Sequence, residues 1–215
     1  MGFTALDYQA RCKAYGIDPG PVDGIWGPRT REAVQRLQEK EGARRPEDLF
    51  HPSGLHRIIM HWTAGAYGDI ALERQSYHLL IDQHGRGIPG IYAPEANANT
   101  SDGRYAPHTR ALNTGSIGVA LDAMAGARES PFDPGSAPIT DDQERGLINE
   151  VADLCRTYDI PVSRWTVLTH AEVQPTLGVW QRNKWDIRWL PGYPGVKDAV
   201  EIGDVLRAKI KAQLS

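Results

Sequence analysis

Two histidines stand where sites are most readily built. His61 closes the short apolar run RIIMHW at 57–62 and is followed by the turn-prone Thr63-Ala64-Gly65, while His170 ends a second run, TVLTH, at 166–170. Imidazoles at the ends of two strands of one sheet can converge on one ion. A catalytic zinc site needs a third protein ligand and keeps a fourth position for water. Asp186, in RNKWDIRWLPG and sixteen positions beyond His170 (186 − 170), offers it. A carboxylate oxygen beside two imidazoles is a workable zinc set. Lys184 lies two residues before Asp186. In an extended segment side chains two apart share a direction, so its ammonium would enter the site with the carboxylate. There it could stabilise the oxyanion formed when hydroxide attacks an amide carbonyl, and zinc supplies such hydroxide near neutral pH by lowering the pKa of its water to about 7. Residue type and spacing alone leave each histidine open between ligand and satisfied structural residue.

The elements that must position these groups read as α/β. Residues 57–62, 77–81, 116–121 and 165–169 are short, apolar and bounded by turn residues, which predicts strands. Helical spacing covers 141–158 and 197–214, the first opened by Thr140 as cap with Gln143 three residues on. Cys155 lies in step with Leu147, Ile148, Val151 and Leu154, where a thiol acts as a small buried hydrophobe. Cys12 and Cys155 fall in separate predicted helices and are read as reduced. The segment 90–113, rich in Asn, Pro and Gly, is long for a loop in a compact domain, and such loops often carry function.

Ahead of this lies a smaller pattern. A helix over 4–14, a Gly/Pro-rich connection over 16–27 and a second helix from Pro28 fit a helical hairpin, with Ala33, Val34, Leu37 and Gln38 at helical spacing. Ile25 and Trp26 in the connection read as plugs for its core. Residues 42–53 are polar, include Pro46 and Pro52, and read as a linker. The organisation expected is thus 1–45 helical module, 46–54 linker and 55–215 catalytic domain.

Bulk properties exclude some classes. With 24 Lys and Arg against 27 Asp and Glu, net −3, there is no broad positive field for a nucleic acid. No apolar run approaches the roughly 18–20 residues of a membrane-spanning helix. The opening MGFTALDYQARCKAYG lacks the basic and apolar regions of a secretory signal. The expectation is a soluble monomer made in the cytoplasm without a signal peptide and released by an indirect route.

Two resemblances sharpen this. The first segment resembles the helical peptidoglycan-binding module, G-x-x-x-G-x-x-D-G-x-x-G-x-x-T-x-x-A-V-x-x-F-Q. Asp23, Gly24, Gly27, Thr30, Ala33, Val34 and Gln38 match, with Leu37 at the Phe position. By that likeness Asp23, Gly24, Trp26, Gly27 and Thr30 mark a wall-binding module. From about His56 to Pro191 the chain resembles the type 2 N-acetylmuramoyl-L-alanine amidase family, which includes phage lysozyme-type amidases and animal peptidoglycan-recognition proteins. The motifs are IIMHWTAG, SYHLLIDQHG, NTGSIGVAL, THAEV and KWD. The likeness implies a mixed central sheet flanked by helices, preceded by a small all-α module. It implies zinc bound by His61, His170 and Asp186, with Lys184 assisting the transition state.

Tyr77 matches the tyrosine that phage-type members place near the metal, where a phenol can orient water or donate to an oxyanion. His78, its neighbour on a strand, leaves from the opposite face. Where some members carry a glutamate base, this chain has Ala120, and where others continue D-P-G after the ligand it reads Asp186-Ile187-Arg188. An aspartate ligand also replaces the cysteine of phage-type members, trading a soft thiolate for a harder oxygen. His108, in APHTR, falls near the family's substrate groove as a candidate contact, against a solvated loop histidine. Trp180, Trp185 and Trp189 surround the third ligand, and Trp185 is a candidate substrate contact. Glu172 could brace a ligating histidine or be solvated. The function implied is zinc-dependent cleavage of the bond between N-acetylmuramic acid and L-alanine in peptidoglycan, by a phage or prophage endolysin. The rivals are a non-catalytic receptor on the same fold and a zinc peptidase cutting elsewhere in the stem peptide.

Overall fold

The structure, a computed structural model, describes residues 3–41, 45–49, 54–68 and 70–215. It comprises two compact units, Met1–Pro52 and Ser53–Ser215. Much of the expected linker, residues 50–53, lies outside the described residues.

In the first unit α1 (Ala5–Ala14) is capped by Thr4 in a reciprocal box with Asp7, and α2 (Pro28–Glu41) opens on its proline. Tyr8 and Cys12 of α1 meet Ala33, Val34 and Leu37 of α2. The core is completed by Leu49 from a 3-10 turn over Pro46–Leu49, so the unit runs past the expected boundary at residue 45. Ile25 and Trp26 do not plug this core: they are 66% and 38% exposed. The connection is instead tied down through its backbone by Gln9, itself 1% exposed. The Gln9 amide donates to Asp23 Oδ1 (2.9 Å), the Ile25 carbonyl (3.0 Å) and Thr30 Oγ1 (3.2 Å). Its oxygen accepts from the amides of Asp23 (3.1 Å) and Gly24 (2.8 Å). Gly24 has φ 77°, a conformation glycine adopts without steric cost. With its polar groups drawn inward the loop turns its apolar side chains outward, Trp26 keeping an edge contact with Tyr8 at 4.9 Å.

The second unit runs β1 (Arg57–Trp62), α3 (Glu73–Ser76), β2 (Leu79–Ile81), β3 (Gly87–Pro89), a 3-10 turn (Pro94–Ala98), β4 (Ser116–Leu121), α4 (Asp141–Thr157), β5 (Val167–Thr169), α5 (His170–Leu177) and α6 (Ala199–Leu214). The sheet order is β3-β2-β4-β1-β5, parallel except for β3 against β2. This is the mixed sheet flanked by helices that the motifs implied. Alternation divides its faces. Ile58, Met60 and Trp62 join Ile117, Val119 and Leu121 in the main core with Leu147, Val151 and Cys155 of α4 and Ile202, Leu206 and Ile210 of α6. Burial pushes the Cys155 thiol up to about 12, so it packs as an inert hydrophobe. On the opposite face Ile59, Leu168 and Val173 form a small cluster, and β4 presents Gly118 and Ala120.

Two elements depart from expectation. β3 has only three residues and no apolar pattern of its own. The run ending at His170 stops as a strand at Thr169, and His170 already begins α5, because the Glu172 carboxylate accepts from the Thr169 amide (2.9 Å) and so closes a helical first turn. Glu172 is fully buried and braces no ligating histidine. It is held instead by Arg207 of α6 through two hydrogen bonds (2.8 and 3.0 Å), and Arg207 also reaches the Val167 carbonyl (2.8 Å).

Removing one partner of a buried ion pair strands the other charge. Arg207→Met should therefore lower stability by about 3–5 kcal/mol in urea unfolding. In the first unit Gln9→Ala should lower that unit's stability by about 2–3 kcal/mol. Ile25→Ser should shift it by less than about 0.5 kcal/mol; calorimetry of the intact chain checks both.

Candidate metal centre

Strand register brings the first two donors together. β1 and β5 run parallel with Ile58 opposite Val167, Ile59 opposite Leu168 and Met60 opposite Thr169. The next residues, His61 and His170, therefore leave neighbouring strands about 4.8 Å apart at their carboxyl ends, where open parallel sheets build sites. Asp186 returns to this point on the segment after α5. Its carbonyl accepts from the Ala171 amide at 2.6 Å, one of the first-turn amides that have no partner inside a helix. One helix start thus pins two of the three groups.

His61 Nδ1 lies 3.1 Å from His170 Nδ1 and 3.1 Å from Asp186 Oδ2, and His170 Nδ1 lies 3.0 Å from the same oxygen. All three residues are buried, and they form a cluster able to hold a metal ion. Ligands at about 2.0–2.2 Å around one tetrahedral ion stand roughly 3.3–3.6 Å apart, so the trio fits after opening by a few tenths of an ångström. The electrostatics suit a cation. Burial opposes a charged Asp186, yet the charge and hydrogen bond of His170, with His61 beside it, hold its carboxyl well below the ordinary range. Burial draws His61 down to about 4, against the pull of Asp186. For His170 burial is outweighed by Asp186 and Gln181, and its pKa rises.

The outer nitrogens are also occupied. His170 Nε2 donates to Gln181 Oε1 (3.0 Å), and Gln181 is anchored through its own amide groups to Gln174 Oε1 (3.0 Å) and the Arg110 carbonyl (2.9 Å). Nothing in the spacing singled out Gln181. His61 Nε2 faces His108 Nδ1 and Thr109 Oγ1, each at 3.3 Å. His108 is accordingly no solvated loop histidine. It is 7% exposed, because the long loop is tied in by buried Asn97, whose side chain bonds Ala106 and Asn113.

A cleft of about 380 Å³ is lined by His170 and Asp186 of the trio together with Trp62, Tyr77, His108, Lys184 and Trp185, while His61 is fully buried beside them. The Tyr77 ring centre is 5.1 Å from that of His61. Burial, with the charge of Asp186, keeps the phenol protonated far above its ordinary pKa. His78 turns the other way, donating from Nε2 to Asn97 Oδ1 (2.9 Å) and accepting at Nδ1 from the Gly118 amide (2.9 Å). Lys184 reaches the wall by a tight turn rather than an extended segment, since Arg182 and Asn183 have φ 54° and 55°. Arg110 and Arg182 share that wall, and among the described residues none of these three cations is ion-paired. Trp185 packs edge-on against Trp62 at 4.7 Å, Trp189 belongs to the core, and Trp180 is exposed beneath Arg110. Ala120, opposite His61 in register, leaves Asp186 the only carboxylate among the described residues lining the cleft.

Comparison with known proteins follows this geometry. The family model for N-acetylmuramoyl-L-alanine amidase matches residues 52–193, and that for a peptidoglycan binding domain matches residues 6–44. No curated protein matches the chain in sequence. Among solved structures, a point mutant of PlyL is 20% identical over 75% of this chain and 88% of that one, with a TM-score of 0.46. The N-acetylmuramoyl-L-alanine amidase LysC from Clostridium intestinale is 17% identical over 74% and 87%, TM-score 0.44. The Ph2119 endolysin of a Thermus scotoductus bacteriophage is 18% identical over 72% and 86%, TM-score 0.41. Likenesses at these scores add nothing to the assignment. The family match spans more than half the chain and includes the whole donor set, and on that ground the chain belongs to the N-acetylmuramoyl-L-alanine amidase family, a peptidoglycan amidase joined to a peptidoglycan-binding domain.

Proposed function

We propose that the chain hydrolyses the amide bond between N-acetylmuramic acid and the L-alanine of the stem peptide, using a zinc ion held by His61, His170 and Asp186. The observation that carries this reading is the buried trio itself, two Nδ1 atoms and one carboxylate oxygen within 3.0–3.1 Å, with His170 and Asp186 lining an open cleft. When bound, zinc supplies an acidified water and an electrophile for the amide carbonyl. Asp186 lowers the net charge of the loaded centre by one unit, and Gln181 keeps the His170 ring aimed. The Tyr77 phenol, protonated throughout the working pH range, donates to the oxygen on which charge develops. Lys184 adds an unpaired positive charge from the wall. Arg110 and Arg182 beside it suit the carboxylates of a stem peptide, and Trp185 offers an aromatic wall.

A receptor without catalysis has no need of a complete, buried donor set, so the enzyme reading is preferred. The pairing of a wall-binding unit with the amidase suits an endolysin, made in the cytoplasm of a phage host and freed to act on the wall. The first unit serves as a tether. It raises the local concentration of enzyme on an insoluble polymer without adding catalytic contacts.

Mass analysis of digested wall should show free stem peptides beginning with L-alanine and no new sugar reducing ends. Chelator and His170→Ala should each suppress release by more than the about 10–100-fold that changes behind the ligands cost; reducing ends without free peptides would mean a glycosidase. Deleting residues 1–52 should weaken wall retention by about 10²-fold or more while leaving hydrolysis of a soluble muropeptide nearly intact. Equal loss of both would make the first unit part of the catalytic fold.

A further inference from the structure

A neutral imidazole has one N–H and one lone pair, and the partner of one nitrogen decides what the other can do. For His61 that partner lies in a buried chain of three groups. His108 Nε2 is 3.2 Å from the Ser116 carbonyl, which can only accept, so this nitrogen carries the proton and His108 Nδ1 presents a lone pair. Thr109 Oγ1 stands 2.8 Å from that lone pair and fills it with its hydroxyl proton. The Thr109 oxygen and His108 Nδ1 each lie 3.3 Å from His61 Nε2. With its proton held by His108, Thr109 Oγ1 turns a lone pair to His61 Nε2, which therefore carries hydrogen. Its Nδ1 is left as the lone pair pointing at His170 and Asp186.

The seat of His108 is built for the ring. A Cβ on Gly118 would come within 2.4 Å of His108 Cγ, so β4 must be bare at that position for the imidazole to lie against it. The Gly118 amide also donates to His78 Nδ1 (2.9 Å), and the His78 and His108 ring centres are 5.5 Å apart, so the ring is held from the side as well as from below.

We infer that His108, seated on Gly118 and fixed by the Ser116 carbonyl, is a positioning residue that locks His61 into the Nε2–H tautomer and so presents Nδ1 as a ligand atom. The inference rests on the trio being a metal site. It assigns His108 no contact with the reacting atoms.

The test uses metal-free, full-length protein titrated with zinc against a chromogenic chelator, together with ¹⁵N spectra of the imidazoles. His108→Ala and His108→Phe should each weaken zinc binding about 10–100-fold. His108→Asn, whose Oδ1 can stand in for Nδ1, should stay within about threefold of wild type. Phenylalanine restores volume without an acceptor, so wild-type affinity in His108→Phe, or affinity in folded His108→Asn as weak as in His108→Ala, overturns the inference. Gly118→Ala, which touches no donor of the trio, should also weaken binding by displacing the ring; unchanged affinity counts against it. In the metal-free spectra His61 should carry its proton on Nε2, and a proton on Nδ1 would refute the tautomer lock. Should wild type bind no zinc at all, the proposed function fails and those spectra still decide this inference. Should wild type bind zinc and release stem peptides while all the variants match it, only this inference falls.

Discussion

Burying the carboxylate of Asp186 is the constraint on which the second unit turns. Removing a carboxylate from water costs several kcal/mol unless an opposite charge and hydrogen bonds replace the solvent. Asp186 is 5% exposed, and the groups nearest its Oδ2 are two imidazole nitrogens at 3.0 and 3.1 Å. Those imidazoles cannot both be charged without repelling each other, and burial already draws His61 down to about 4. At His170 the same burial is outweighed by Asp186 and Gln181, and its pKa rises. A divalent cation at the same point would relieve all three groups at once. The polarisation that favours metal is built into the fold.

The scaffold meets this constraint with few parts. The β1–β5 register sets the spacing of the histidines, and the start of α5 fixes His170 while its spare amide holds Asp186. The Glu172–Arg207 pair, buried beside the same helix start, secures that turn to α6. The buried pair is costly as a source of stability. Here it joins the strand-to-helix corner at which His170 stands to α6. The same economy appears in the first unit, where Gln9 makes five hydrogen bonds to the connection and to Thr30 behind it. The side chains matching the binding-module signature mostly hold the loop shut, and the apolar Ile25 and Trp26 are what it displays.

How far the sequence was legible follows from the range of the interactions. β1 and β4 agree with their apolar runs residue for residue, because strands buried on both faces are continuous in hydrophobicity and need no partner to be seen. The trio was legible through motifs, with spacing alone leaving each histidine undecided. Three features were not legible. His170 read as a strand end because its helical turn depends on a carboxylate two residues on and an arginine 35 residues beyond that. His108 read as open between a substrate contact and a solvated loop histidine, because its burial is produced by Asn97 and by the absence of a side chain at Gly118. Gln181 had no signal, since a loop glutamine becomes a histidine's partner only when the chain returns across the site. Ile25 and Trp26 failed for a related reason: apolar character states a preference for burial, but the hydrogen bonds of Gln9 decide which way the loop faces.

These misses share a cause. Each is a polar contact between residues distant in sequence that sets the angle of a side chain already identified by type. Periodicity reports which face of an element is buried, because burial is additive over many residues. It says nothing of tautomer, ring rotation or the path of a returning loop, since each depends on one or two specific partners. For a centre that would bind a cation through Nδ1 atoms, those are the quantities that separate a ligand from a neighbouring histidine. The chain has seven histidines, and His61, His78 and His108 are all buried. What distinguishes His61 among them is that its outer nitrogen meets an acceptor and its inner one a carboxylate, whereas His78 spends both nitrogens on Asn97 and Gly118. Identity of the donor is written in the sequence; its availability is settled by the hydrogen bonds behind it.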